Sequence, residues 1–280
     1  MFGRSRIETK TPDQILRMRK AGLVVGQTLQ LMAQTVRPGM TTKALDELAE
    51  EHIRGCGATP SFLGYHGFTG SLCTSVNEEV VHGIPGSRVL TEGDLISIDC
   101  GAIVDGWHGD AAISVIVGGR DAGRPQDLAL IDATEDSMWA GIAALSVGES
   151  LYAVGAGVED SIVASGDRDG HDYGIVEEYV GHGIGTEMHM DPQVPNYRVR
   201  DRGPTVRSGV TVAIEPMVTL GSAETRVLRD DWTVVTTDQS RAAHWENTVA
   251  VTDDGLWVLT ALDGGKERLE AAGAAYAPLS

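Results

Sequence analysis

The sequence predicts a mixed α/β fold made of two similar halves, and three observations predict it. Short segments recur in the same order in both halves of the chain, each placing an ionisable residue at a matching position. Runs of alternating aliphatic residues mark strands. Capped runs with apolar residues three and four apart mark helices.

Taken in order, Thr11-Pro12-Asp13 opens a helix with a capping threonine, proline at the first helical position and an acid in the first turn. Apolar residues recur to about Val36, where Arg37-Pro38-Gly39 stops it. Thr41 or Thr42 starts a second helix through Leu45, Leu48 and Ile53, ended by Gly55. Residues 58–76 are rich in glycine and aromatics and read as irregular strand and loop. Leu95–Gly101 and Ala112–Val117 read as strands. Pro125–Leu145 reads as a long helix, and Ser150 caps another that ends near Gly166. Strands and turns then alternate to about Leu259. No linker divides the chain, so residues 1–280 are expected to form a single domain. Its N-terminal half is about 11–120 and its C-terminal half about 125–260. The Gly- and Ala-rich Asp263–Ser280 is expected to be a flexible, poorly packed tail.

The repeat carries the functional information. His82-Gly-Ile-Pro recurs as His182-Gly-Ile-Gly, and Gly93-Asp-Leu-Ile-Ser-Ile-Asp99 as Gly209-Val-Thr-Val-Ala-Ile-Glu215. Asp110-Ala-Ala-Ile-Ser-Val recurs as Glu246-Asn-Thr-Val-Ala-Val. Each half therefore runs through a His-Gly-Ile turn, a strand ending in a carboxylate, and a carboxylate opening the next strand. Two such halves imply a pseudo-two-fold axis with a shared site on it.

Strand alternation puts Ser97 and Asp99 on one face, with Ile96 and Ile98 on the other. It likewise opposes Ala213 and Glu215 to Val212 and Ile214. A single acid at a strand end is usually a turn cap or solvated. Four brought together by a repeat would repel one another unless cations lie between them. No lysine is near any of them in sequence. Two divalent ions are the simplest compensation. Carboxylates with one imidazole suit manganese, iron(II), cobalt or zinc.

His182, in Gly-His-Gly-Ile-Gly, reads as an exposed ring on a flexible turn, with His189 seven residues on. His82 has a similar setting, and His66 is ambiguous. His52 reads as solvated, and His108, His171 and His244 carry no clear signal. Ser61, Phe62, Tyr65, Phe68 and Cys73 form an apolar-aromatic cluster in a chain with 5 % aromatics, either core or a pocket for an apolar side chain.

Composition narrows the classes. Hydrophobic residues are 42 % and charged residues 22 %, an ordinary globular mix. Net charge is −18, which disfavours nucleic-acid phosphates and suits a cationic ligand or a solvated surface. The cysteines Cys56, Cys73 and Cys100 form no CxxC pair and suit a reducing cytoplasm. No apolar run spans the ~20 residues a bilayer needs, and the start MFGRSRIETK has no apolar signal region. The chain is therefore expected to be cytoplasmic, with neither DNA nor membrane as partner. No Gly-x-Ser-x-Gly elbow, Walker A loop or His-Glu-x-x-His occurs.

Together these residues resemble the type I methionine aminopeptidases of the bacterial, short form. SFLGYHGFTGSLCTSVNEEVVHGIPG (residues 61–86) is similar to that family's pocket and first-histidine region. ISIDCG, GWHGDAA, VGHGIGTEMHMDP, VAIEPM and HWENT are similar to its five metal-site segments. The resemblance runs from about Thr11 to Leu259. It implies the pita-bread α/β (α+β) fold: two pseudo-symmetric halves, a curved and largely antiparallel sheet, and helices packed on one side. It also implies a metallo-aminopeptidase that removes N-terminal methionine by metal-activated attack of water. In that reading Asp99 holds one divalent ion, His182 and Glu215 hold the other, and Asp110 and Glu246 bridge both. His82 and His189 act on the scissile peptide outside the ligand set. Phe62, Tyr65, Phe68, Cys73, Met188 and Trp232 line the methionine pocket. The implied partners are N-terminal methionines of peptides and nascent chains, met at the ribosome, by a monomeric enzyme.

The chain departs from the family pattern at Met188, where phenylalanine is usual, at Met190, where an acid is common, and at Asn247, where histidine is usual. None of these removes a ligand. Only 25 residues separate His189 from Glu215, too few for the helical insertion of type II enzymes. Two rivals share the scaffold: a proline-specific peptidase, usually with an extra N-terminal domain, and a metal-free binding protein, which should lack a ligand. The basic residues Arg17, Arg19 and Lys20 read as a solvated helix face, in preference to a contact with ribosomal RNA.

Overall fold

A computed structural model describes residues 7–201 and 203–279, so most of the N-terminal stretch read for a signal lies outside it. Helices cover Pro12–Thr35 (α1), Thr42–Gly55 (α2), Pro125–Ala143 (α3), Ala153–Asp169 (α4) and Lys266–Ala271 (α5). The first-half strands are Thr59–Pro60 (β1), Leu72–Val76 (β2), Glu79–Val81 (β3), Leu95–Val104 (β4) and Trp107–Ile116 (β5). Gly174–Ile175 (β6), Gly181–Gly183 (β7), Met190–Val194 (β8), Thr211–Ile214 (β9) and Met217–Thr219 (β10) follow. Thr225–Val227 (β11), Val234–Thr236 (β12), Ala242–His244 (β13), Glu246–Val251 (β14) and Leu256–Val258 (β15) complete the set.

The caps behave as the sequence dictates. Thr11 accepts from the Gln14 amide while the Gln14 side chain accepts from the Thr11 amide, closing a capping box at α1. Thr41 accepts from the Ala44 amide and opens α2. Ser150 is the exception: α4 has Tyr152 at its N-cap with no side-chain cap bond, and Ser150 accepts from the Tyr152 amide in the turn before it.

One antiparallel sheet runs β1-β4-β5-β14-β9-β7-β8, with β2 also on β4 and β15 also on β14. Two small three-stranded sheets, β13-β10-β6 and β11-β12-β3, flank it. The repeat equates β4 with β9 and β5 with β14, and those four strands lie side by side as two related pairs. The pseudo-two-fold axis therefore passes between β5 and β14, which pair at Glu246↔Ala112 and Asn247↔Ala111.

The helices cover one face of this sheet. Ile96, Ile98 and Cys100 of β4 pack with Val25, Leu29 and Met32 of α1 and with Leu45 and Ile53 of α2. Val212 and Ile214 of β9 pack with Met138 and Ile142 of α3 and with Val154 and Val158 of α4. Burying one such aliphatic side chain stabilises by roughly 1.5–3 kcal/mol, which fixes the strand register and drives Asp99 and Glu215 to the opposite face.

Two expectations are corrected. The C-terminal segment is packed: Leu269 of α5 is fully buried in the α3–α4 core, and Leu256 and Ala275 to Ala277 exchange backbone hydrogen bonds. Leu269, with Tyr276 and Leu279 packed against the core, anchors a segment of mostly glycine and alanine, which composition alone obscured. Arg19 is not solvated. Its guanidinium donates to the carbonyls of Leu259 and Leu262 and sits 5.5 Å from the Trp257 ring, tying α1 to the end of β15.

Candidate metal centre

The register of the large sheet builds the site row by row. Cys73 on β2 pairs with Asp99 on β4, Asp99 with Ala112 on β5, and Ala112 with Glu246 on β14. The small Ala112 leaves open space between the two acids. Asp110 lies two residues along β5 on the same face and pairs with Gly101. A Cβ at Gly101 would come within 2.9 Å of Ser61 and Phe62, so glycine there lets the pocket wall close on the acids. Ile214 pairs with Asn247, which brings Glu215 abreast of Glu246.

All thirteen residues expected at the site line one cavity of about 130 Å³: Asp99, Asp110, His182, Glu215, Glu246, His82, His189, Phe62, Tyr65, Phe68, Cys73, Met188 and Trp232. Val81 completes the lining. Phe62, Phe68, Cys73 and Met188 are buried against one another, with Tyr65, Ile84 and Trp232 at their edge. Trp232 meets Phe68 edge-on, at 5.1 Å between ring centres.

The acids have no cationic side-chain partner. Each is at least nine-tenths buried, and among the described residues no lysine or arginine pairs with any of them. One oxygen each of Asp99, Asp110 and Glu246 is buried with no hydrogen-bond partner. Desolvation pushes the Asp99 carboxyl up to about 7. Desolvation, then the neighbouring acids, raises Asp110, Glu215 and Glu246 well above the carboxylate range. Orphaned buried oxygens on three of four crowded acids are what a bound cation would satisfy. The donor set fits divalent metal.

His182 corrects the expected exposed ring: it is 7 % exposed. Its flanking glycines serve packing instead. A Cβ at Gly181 would meet the Ala213 carbonyl at 2.3 Å, and one at Gly183 the Asp191 carbonyl at 2.2 Å. The ring's Nδ1 lies 3.0 Å from the Gly183 carbonyl, which can only accept, so Nδ1 carries the proton. The lone pair of Nε2 then faces Glu215 Oε1 at 3.5 Å. Burial lowers the imidazole to about 3, keeping it in the neutral form that ligates metal.

His189 meets the His182 ring edge-on at 4.4 Å between ring centres, and its Nδ1 lies 2.8 Å from Tyr65 Oη. His82 follows β3 with φ of +61° and packs edge-on to Tyr179 and Trp232. Burial pushes its imidazole down to about 4.

Sequence reasoning missed two histidines. His244 is 1 % exposed, and its Nε2 lies 3.9 Å from both Glu215 Oε2 and Glu246 Oε2. His108 has Nδ1 3.0 Å from Ser61 Oγ. Each stands two residues before a site acid, Glu246 or Asp110; the period-two rule run backwards along β5 finds His108, whereas His244 lies on β13, a separate strand from Glu246. His52, expected to be solvated, is half-buried with Nδ1 2.9 Å from Thr28 Oγ1.

A model of metallopeptidase family M24 matches residues 16–253. Methionine aminopeptidase 1 of Mycobacterium tuberculosis is 52 % identical, over 92 % of this chain and 96 % of that protein. The chain belongs to metallopeptidase family M24, in its methionine aminopeptidase group. A methionine aminopeptidase structure from Thermotoga maritima superposes with a TM-score of 0.86 at 38 % identity, covering 91 % of this chain and 100 % of that one. A Pyrococcus furiosus prolidase has the same fold, with a TM-score of 0.68 at 19 % identity, and this chain covers 65 % of it. The family is one of metallopeptidases, and Asp110, His182 and Glu246, and Glu215, His244 and Glu246, are groups in this chain that could hold a divalent ion.

Proposed function

We propose that this chain removes the N-terminal methionine of peptides and nascent proteins in the cytoplasm, with two divalent ions held by Asp99, Asp110, His182, Glu215 and Glu246. The observation that carries this reading is the single cavity in which uncompensated acids meet an aromatic and sulfur-lined wall. Asp110 and Glu246, on the two central strands, would be shared between the ions, with Asp99 completing the donors of one and His182 with Glu215 those of the other. Bound ions would supply Lewis acidity and a water acidic enough to act as nucleophile near neutral pH.

The chain's own residues do the rest. Phe62, Tyr65, Phe68, Cys73, Met188 and Trp232 receive the methionine side chain, whose polarizable thioether gains from ring and sulfur contacts. This seats the scissile carbonyl between the acids and His189. Tyr65 donating to Nδ1 leaves the His189 Nε2–H to stabilise the carbonyl oxygen as negative charge develops. His82, neutral at working pH, borders the peptide from the opposite rim.

The test is hydrolysis of Met-Ala and Xaa-Pro peptides by metal-reconstituted protein. Methionine release from Met-Ala peptides, abolished by chelation and restored by manganese, cobalt or iron(II), is the expected result. Preference for Xaa-Pro bonds would assign the chain to proline-specific chemistry instead. Full activity of chelated protein would end the metal reading.

A further inference from the structure

His244 is the one imidazole at the acid cluster that the ligand assignment leaves unused. It closes β13, is fully buried, and its Nε2 has no hydrogen-bond partner. It faces Glu215 Oε2 and Glu246 Oε2 at 3.9 Å each. That spacing decides between two roles. A hydrogen bond needs roughly 2.7–3.2 Å, and both contacts exceed it. Two atoms each ~2.1 Å from one ion lie at most ~4.2 Å apart, and both contacts satisfy that bound.

The donor atoms also fall into two groups. Asp110, His182 and Glu246 converge within 4.8 Å, and so do Glu215, His244 and Glu246. Glu246 belongs to both. The backbone fixes His244 on its side of the sheet: Ser114 Oγ accepts from the His244 amide and donates to its carbonyl, and Ser114 is itself 2.8 Å from Ser97 Oγ. These buried contacts hold the ring against the acids.

We propose that His244 is a sixth protein ligand, binding the ion shared by Glu215 and Glu246. That ion, already assigned His182, then carries both imidazoles, and the pair averages one imidazole per ion. This rests on the metal reading above and extends its donor set from one nitrogen to two. A second imidazole shifts preference toward borderline ions such as cobalt, zinc and iron(II), and away from manganese.

The experiment titrates cobalt(II) into chelator-stripped wild type, His244→Gln and His244→Ala, following heat and visible ligand-field bands. Gln keeps a side-chain donor and most of the volume, and the far-ultraviolet circular dichroism of each variant checks its fold. Both variants are expected to bind one of two cobalt ions at least ~10-fold more weakly, with changed bands. Affinity and bands preserved in His244→Gln would make His244 a hydrogen-bonding residue and overturn the proposal. X-ray absorption of cobalt-loaded wild type reads the ligands without any substitution. Outer-shell scattering from one imidazole per ion is expected, and one imidazole per two ions would overturn the proposal. Wild type that binds no cobalt would instead sink the metal reading itself.

Discussion

The two halves of the molecule share a frame and differ in what they place on it. β4 and β5 offer Asp99 and Asp110, and β9 and β14 lead to Glu215 and Glu246 at matching positions. Among the described residues, the histidine nitrogens within 4 Å of these acids, on His182 and His244, both come from the second half. The first half contributes instead the wall formed by Phe62, Tyr65, Phe68 and Cys73. Repeated backbone thus sets where donors converge, and the residue chosen at each repeated position sets what converges there. A symmetric scaffold thus carries acids from both halves, the nearby imidazoles from the second, and most of the aromatic wall from the first.

The sharpest way to break this comparison is to neutralise the matched acids one at a time. Asp110→Asn and Glu246→Gln each remove a charge proposed to be shared by both ions, and a neutral amide balances two divalent cations poorly. Both are expected to lower metal content and to reduce kcat/KM by on the order of 10³-fold or more. Metal analysis with steady-state kinetics checks this. Full metal in either variant would show that the halves are not equivalent at their central strands.

His189→Ala should act differently. It removes a donor to the peptide and no ligand, so metal content stays near wild type while kcat falls roughly 10²–10³-fold. KM should change less, because that interaction strengthens in the transition state. Loss of metal in this variant would move His189 into the ligand set.

A smaller effect tests the pocket. Trp232→Ala opens the wall where the indole meets Phe68 and His82 edge-on. The ratio of kcat/KM for methionine over leucine at the first position should fall about 10-fold, the scale on which apolar pockets discriminate. An unchanged ratio would make Trp232 a packing residue that leaves specificity to Met188 and Cys73.

What the sequence made legible follows the same division. Asp99, Asp110 and Glu246 lie on regular strands and Glu215 directly follows one, so period-two alternation and a repeat are enough to read their face. Helix boundaries were close, because Thr11, Thr41 and Pro125 act through local caps and proline. His244 escaped because it lies outside the matched repeat, on a separate three-residue strand that ends one residue before β14. The burial of His182 escaped because its glycines signal close approach and flexibility equally, and only tertiary packing separates them. Arg19 and Leu269 were misread for one reason: their partners, the Leu259 and Leu262 carbonyls and the α3–α4 core, are far away in sequence.

The last prediction concerns stability and needs no substrate. The Asp99 carboxyl is pushed up to about 7 by desolvation, and Asp110, Glu215 and Glu246 are raised further above their usual values. Folded, metal-stripped protein therefore retains protons that the unfolded chain has released, and its stability falls as pH rises through that range. The buried histidines oppose this at lower pH. His82 and His108 are pushed down to about 4, and His182 and His244 to about 3. Each takes up a proton on unfolding below the usual value of 6.5, so their contribution to stability rises with pH and is complete near 6.5. Above that the acids act alone. Chelator-stripped protein should lose on the order of several degrees in Tm between pH 6.5 and 8, and loaded protein should not, because the ions hold the acids ionised. Asp99→Asn and Glu246→Gln should each flatten the slope in the stripped protein, and their relative effect measures how evenly the two halves share the crowding. A Tm that climbs through this window in stripped protein would mean that the acids are already ionised and compensated without metal.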